Sequence, residues 1–359
     1  MNSKIYRMIR GDSFMNIVVL AGGISTERDV SLVSGMGIYK ALKKKGHNCI
    51  LLDSFFGYDG EDWKDVFSMD KDWTESISAI KSENPDLDAV KAMRPDWKSS
   101  LLGPHVIDIC RLADIVFFGL HGMNGEDGRI QACFDLNGIL YTGTDYMSSA
   151  ICMDKSLTKD LFRAGDVPCA KSVTIFKAED APEDFPLPCV VKACHGGSSV
   201  GVYLVNTKEE YDNAVKEAFT YDEEVMIEQF IKGREFSIGV VDGTAYPIIE
   251  IAPINGFYDY KNKYQPNSTV ETCPAELSEE KTLEMQKAAE KAFKVLHLRD
   301  YARFDCMMQE DGQFFFLEAN TLPGMTPASL LPQEAAALGY SYEDLCQLII
   351  DIALRRKDA

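Results

Sequence analysis

Two short apolar runs near the C-terminus, Tyr301–Met308 and Gln313–Asn320, are joined by Gln309-Glu-Asp-Gly and constrain this chain more than any other feature. Asp311-Gly312 at the tip is a hairpin signal. In register, Asp305 lies on the strand beside Glu318 and Asn320, and the last two share a face because side chains alternate along a strand. Two carboxylates and an amide converging there are hard oxygen ligands, the kind Mg²⁺ takes while leaving room for phosphate. A hairpin whose acidic residues face solvent is the alternative, and the hairpin alone leaves both readings open.

Upstream residues favour the first reading. Pro188–Lys192 is a short β-branched strand that ends in a lysine and runs into Ala193-Cys-His-Gly-Gly-Ser-Ser-Val-Gly201, followed by a second strand, Val202–Val205. Backbone N–H groups and the hydroxyls of Ser198 and Ser199 can lie over a polyphosphate, with Lys192 as a point charge. This is not a Walker loop, because no Gly-Lys-Ser/Thr follows and the loop leads to a strand. A plain linker or turn is its bland alternative. Glu224–Ile231 reads as a further strand, and Glu228 and Glu235 flank a turn containing Gly233. Such a hinge can offer backbone groups to adenine and a carboxylate to ribose; solvated strand ends remain the other reading.

A chain of 359 residues suits two or three domains, and 46% hydrophobic with 26% charged residues is ordinary for a globular protein. The net charge of −19 argues against nucleic acid or an anionic membrane as partner. It leaves ATP open, since Lys155, Lys192, Lys263 and Arg303 can make a local positive site. The 10 cysteines are scattered singles without a Cys-x-x-Cys pair, which reads as reduced thiols in a cytoplasmic enzyme. No apolar run reaches the roughly eighteen residues of a membrane helix, and the start lacks the apolar core of a secretory signal. Residues 1–14 read as a start-site extension or a loose tail before the first strand.

That strand, Asn16–Ala21, ends in a glycine turn, and a helix is expected over Val30–Lys44, then strands at Asn48–Asp53 and Asp114–Leu120. Gly22-Gly-Ile-Ser lacks the G-x-G-x-x-G spacing of a dinucleotide site. Residues 54–105 carry no clean period and read as an irregular, partly helical insertion without an assigned role. A helix beginning at Ser148 is expected to bear Lys155.

Five blocks now fall into order: Gly22–Gly35, Leu120-His-Gly-Met-Asn-Gly-Glu-Asp-Gly128, Met153-Asp-Lys155, Val191–Gly201 and Glu318-Ala-Asn-Thr-Leu-Pro-Gly-Met-Thr326. On these residues the chain resembles the D-alanine–D-alanine ligases of the ATP-grasp superfamily, from about Met15 to the C-terminus. The resemblance implies an α/β and α+β fold of ATP-grasp architecture. Its parts would be an N-terminal α/β domain over 15–147, a central subdomain over 148–231 and a C-terminal subdomain over 232–359. It implies ATP-dependent joining of two D-alanines for peptidoglycan precursors, with two Mg²⁺ or Mn²⁺ ions, in a homodimer.

It also implies roles. Glu27 would bind the ammonium of the first D-alanine, with Ser198 and Tyr264 around it and His121 nearby. Ser329 and Leu330 would form the pocket for the second D-alanine, Ser329 meeting its carboxylate. Lys155 and Lys192 would grip the triphosphate and Lys263 the transferred phosphate, while Ser198, Ser199, Glu228, Ile231 and Glu235 complete the nucleotide site. Asp305, Glu318 and Asn320 would hold the metal, and Arg303 with the N–H of Gly324 would stabilise the developing oxyanion. The segment Phe257–Tyr264 resembles a loop that closes over the site. Two departures stand out: Gly196 where relatives often carry an acidic residue, and Gln229 where many have lysine. A D-alanine–D-serine ligase, or a non-catalytic nucleotide-binding regulator, are the competing readings; the regulator would predict a broken metal triad, whereas all three residues are present.

Overall fold

The computed structural model describes residues 14–75, 85–197, 201–253 and 269–357, and the β-branched runs form strands in it. β1 (Asn16–Ala21), β2 (Asn48–Asp53) and β3 (Ile115–Phe118) make a parallel sheet in the order β2-β1-β3. Their near-continuous apolar sequences suit a sheet covered on both faces. The helix Arg28–Lys44 covers it through Ile38 and Leu42, and the last helix, Tyr342–Leu354, joins the same core through Leu345, Ile349 and Ile350. The C-terminal helix therefore packs with the N-terminal sheet.

β4 (Ser172–Ile175), β5 (Cys189–Ala193), β6 (Val202–Val205) and β7 (Val225–Gln229) form a four-stranded antiparallel sheet in the order β4-β7-β5-β6. The helix Lys208–Ala218 backs it, opened by a capping box between Thr207 and Glu210. β8 (Arg234–Val241), β9 (Thr244–Ala245), β10 (Ile249–Pro253), β11 (Thr269–Thr272), β12 (Tyr301–Met308) and β13 (Phe314–Asn320) build the third sheet, in the order β11-β10-β8-β12-β13 with β9 on β8. Its apolar face packs Phe236, Ile238, Phe304 and Phe316 with Met285, Ala289 and Phe293 of the helix Glu279–Val295.

The β12–β13 hairpin turns at Gly312, whose φ of +86° suits glycine, and Gly312 N donates to the carbonyl of Gln309 at 3.0 Å. Arg303 then pairs with Asn320 and Asp305 with Glu318, before the register shifts between Asp305 and Cys306. Phe304 and Ala319, between those pairs, point into the apolar core. The opposite face carries the four polar side chains.

The expected helix from Ser148 is two helices. Tyr146–Met153 stops at Asp154, which has extended backbone (φ −88°, ψ 106°), and Lys155–Ala164 starts anew. Asp154 caps the second helix by accepting from Leu157 N at 3.0 Å, and its backbone forms a β-bridge with His195. Lys155 N donates to Cys194 O at 3.1 Å, so the break stitches the helix start to the glycine-rich loop. The 54–105 region holds a short 3₁₀ helix (Trp63–Ser68) and a helix (Leu87–Ala92), with buried Arg94 donating to the carbonyls of Phe55 and Ser100.

Candidate active site

Residues of the second and third sheets, with turn and helix residues next to the first, line one cavity of about 970 Å³. β5, β6 and β7 supply one side, β8, β12 and β13 the facing side, and the turns after β1 and β3 one end. On the first of these sides Lys155 Nζ donates to Gly196 O at 2.8 Å. Burial lowers the Lys155 ammonium below its ordinary range, and the charge of Glu318 acts in the opposite direction. Lys192 Nζ lies 2.5 Å from Glu228 Oε2, and Lys159 Nζ lies 2.5 Å from the other oxygen, Oε1.

Glu228 lines the cavity, and its carboxylate is buried between those two ammoniums. Burial alone would push Glu228 up, but Lys159 and Lys192 outweigh it and hold the carboxyl at about 2. Lys159 is a residue that sequence reasoning missed. It is fully buried and also donates to Phe316 O on β13 at 2.8 Å, linking the second and third sheets. Its only signal was a place beside Thr158 and Phe162 on the buried face of the helix. Ile231 is buried at the cavity wall, and Glu235 lines the cavity from the start of β8.

Across the cavity, Arg303 grips Asp305 through two parallel bonds, Nε to Oδ1 at 2.8 Å and a terminal nitrogen to Oδ2 at 2.7 Å. Asn320 Nδ2 donates to Asp305 Oδ2 at 3.1 Å. Glu318 stands opposite Asp305 in the ladder. Two carboxylates and one amide, with no sulfur or imidazole among them, fit a hard divalent cation such as Mg²⁺ or Mn²⁺.

At the end of the cavity, Glu27 sits between two glycines. A Cβ on Gly122 would fall 2.8 Å from Glu27 Oε2, and one on Gly197 would fall 3.0 Å from the same atom. Gly122, at φ +69°, suits glycine by its backbone, and a side chain at either position would push the Glu27 carboxylate aside. A Cβ on Gly324 would lie 3.0 Å from Ser329 Oγ, so those two expected residues are also neighbours. Ser329 Oγ accepts from Thr326 N at 3.0 Å and contacts Thr326 Oγ1 at 2.8 Å. The Leu330 side chain is buried with Ile249 and Ile251 at the cavity edge.

His121 lines the same end of the cavity as Glu27, and both of its ring nitrogens have protein partners: Nδ1 with Leu322 O at 2.8 Å and Nε2 with Ser34 Oγ at 2.9 Å. Nδ1–H donates to the carbonyl and Nε2 accepts from the hydroxyl, which is the neutral tautomer. Burial lowers its pKa in keeping with that. Glu126, five residues on, was missed. Its Oε2 accepts from Gly122 N at 2.7 Å and its Oε1 from Leu322 N at 2.9 Å. Burial, then the charge of Glu27, raise its carboxyl to about 8. Its place in the His121-Gly-Met-Asn-Gly-Glu126 turn was the available signal. Ser198, Ser199, Lys263 and Tyr264 lie outside the described residues.

An α/β sheet at one end of a cavity held between two antiparallel sheets is the ATP-grasp architecture, shared with solved ligases at TM-scores of 0.72 and 0.73. Residues 16–144 match the family described as D-ala D-ala ligase N-terminus and residues 167–351 the one described as D-ala D-ala ligase C-terminus. The chain belongs to the D-alanine–D-alanine ligase family. It is 42% identical over 343 residues to the D-alanine–D-alanine ligase of Pediococcus pentosaceus, covering 94% of this chain and 97% of that protein. It is 36% identical to D-alanine–D-alanine ligase B of Clostridium perfringens, covering 96% and 99%. The Bacillus anthracis D-alanine–D-alanine ligase complexed with ATP superposes with a TM-score of 0.72 at 30% identity, over 96% of this chain and 99% of that one. The VanG D-Ala:D-Ser ligase of Enterococcus faecalis gives 0.73 at 27%, over 95% and 100%.

Proposed function

We propose that this chain is an ATP-dependent, ADP-forming ligase that makes D-alanyl-D-alanine for peptidoglycan precursors. One observation carries the reading: a single cavity in which Arg303, Asp305, Glu318 and Asn320 face Lys155 and Lys192, with Glu27 at its end. The relatives' names and the ATP complex of the Bacillus anthracis ligase support it.

Joining a carboxylate to an amine in water is uphill, so the carboxylate is activated first. A carboxylate oxygen of the first D-alanine attacks the γ-phosphorus of ATP, the bond to ADP breaks with its electrons on ADP, and an acyl phosphate results. The amine of the second D-alanine, after losing a proton, attacks the acyl carbon, and phosphate leaves as the tetrahedral intermediate collapses. Glu27 would hold the first ammonium, and Ser329 with the N-terminal turn at Leu330 would meet the second carboxylate. Arg303 and the Gly324 N–H would face the oxyanion. Lys155 and Lys192 would hold the triphosphate, with Ser198, Ser199, Ile231 and Lys263 beside it. With the Glu228 carboxylate engaged by two lysines, the ribose hydroxyls would fall to Glu235. Asp305, Glu318 and Asn320 would hold two Mg²⁺ or Mn²⁺ ions, which supply Lewis-acid neutralisation of phosphate oxygens when bound. Tyr264 would help enclose the first substrate.

The proposal extends to three parts, 15–147, 148–231 and 232–359, and to a cytoplasmic homodimer. Among the described residues no helix is long and apolar enough to cross a membrane. The test is ADP release and product identity with D-alanine, D-serine and D-lactate offered together. D-alanyl-D-alanine formed in step with ADP supports the reading. A predominant D-alanyl-D-serine product would move it to the D-serine branch, and no nucleotide turnover with any acceptor would overturn it.

A further inference from the structure

The loop after β13 crosses from the third sheet to the first, and its backbone is held at residue after residue by side chains of the first-sheet half. Leu322 is held at both of its polar backbone groups: its N–H donates to Glu126 Oε1 at 2.9 Å and its carbonyl accepts from His121 Nδ1 at 2.8 Å. Met325 is treated alike. Its N–H donates to Ser34 Oγ at 3.3 Å and its carbonyl accepts from Tyr342 Oη at 2.5 Å. Gly324 lies between these two clamped residues, so the direction of its N–H is fixed from both sides.

Glu126 does more than meet Leu322. Its backbone N–H donates to Gly122 O at 2.8 Å and its other carboxylate oxygen accepts from Gly122 N at 2.7 Å, closing the turn on itself. That same Gly122 faces the Glu27 carboxylate, since a Cβ built on it would stand 2.8 Å from Glu27 Oε2. One turn thus backs the group facing one reactant and grips the strand end that carries the N–H facing the reaction centre.

We propose that Glu126, with His121, is a positioning residue that clamps the Leu322 peptide and so holds the Gly324 N–H at a fixed place relative to Glu27. The carboxyl is suited because both of its oxygens accept, one from each of two N–H groups on opposite sides, and both keep an acceptor lone pair even when the acid carries its proton; glutamine offers one oxygen, and its amide nitrogen would confront the second N–H. An oxyanion donor must be in place before charge develops, so a loosened clamp raises the barrier without weakening nucleotide binding.

The proposal rests on the ligase reading, and two readouts on the whole protein separate their failures. In steady-state kinetics, Glu126→Gln should lower kcat about tenfold to a hundredfold, with KM for ATP within about twofold. In amide hydrogen exchange without substrates, peptides spanning 317–330 should lose protection in Glu126→Gln while those of β1 and β2 keep it. Glu126→Asp, one methylene short of Leu322, should behave like Glu126→Gln, which a role through charge alone would not give. If wild type makes no dipeptide, the exchange result still decides the clamp. Unchanged exchange over 317–330, or a raised KM for D-alanine with normal kcat, would overturn it. If Glu126→Gln folds poorly, His121→Asn provides the second variant, because it removes the Leu322 carbonyl contact while leaving Glu126 in place.

Discussion

Arg303 and Asp305, two residues apart on one face of β12, are joined side by side through both guanidinium and carboxylate edges. The group that faces the oxyanion in the proposed reaction is therefore held by one of the groups that would hold metal. A fork of this kind fixes the guanidinium plane, which a lysine's single ammonium would not do.

Replacing Arg303 with methionine is expected to lower kcat by about a hundredfold to a thousandfold, with a smaller change in KM for either D-alanine. Steady-state kinetics check this, since a group acting on the transition state shows in kcat. A raised KM with normal kcat would mean that Arg303 only holds substrate.

Glu318→Ala should abolish ligation while the protein stays folded. Its carboxylate stands opposite Asp305 in the ladder, and in the proposed reaction its loss would remove a metal ligand and leave phosphate charge unscreened. Retention of more than about a tenth of kcat would count against the metal assignment. Mn²⁺ titration by electron spin resonance gives a second readout, with weaker binding expected in the variant.

Glu228→Gln is expected to cost about 3–5 kcal/mol of stability, because it strands the buried ammoniums of Lys159 and Lys192. Urea unfolding at neutral pH measures it. Pairing the change with Lys159→Met should return part of the loss, since one of the two uncompensated charges is then gone. A double variant no more stable than Glu228→Gln would argue against charge as the cause.

Glu334 gives the pH prediction. Its carboxyl is fully buried, accepts from Gly239 N at 2.6 Å and is pushed up to about 8 by burial. A raised acid favours the folded state in its protonated form. That contribution is complete below the ordinary value of 4.5 and is lost as pH rises through about 8. Wild type should therefore lose stability between those limits, and Glu334→Gln should show a smaller loss, with the slope from Glu126 remaining. Urea midpoints at pH values near 5 and near 8 check the sign. Equal slopes in the two proteins would refute it.

β1, β2, β3, β5, β6 and β7 were legible as compact apolar runs, mostly rich in β-branched residues, and the β12–β13 hairpin because Asp311-Gly312 marks its tip, whereas β4, β9, β10 and β11 carry no comparable signal. The polar face of that hairpin followed from alternation alone. Glu126 and Lys159 were hidden for another reason. Glu126 meets Leu322 across 196 positions and Lys159 meets Phe316 across 157, so nothing near either residue announces its partner. The sequence block around His121 marks its neighbourhood, whereas only the fold shows both its nitrogens engaged. The partners of Glu228 were hidden in the same way, since its two lysines come from other elements.

The extended residue at Asp154 has a consequence for how this chain can tolerate change. In a continuous α-helix, one inserted residue rotates everything beyond it by about 100°. Here the helix Tyr146–Met153 ends before Lys155, and the next helix takes its phase from the Asp154 cap and the bridge to His195. The two helices are mechanically out of gear. Length changes upstream of Asp154 would be absorbed at that joint, and the aim of Lys155 at the glycine-rich loop would survive them.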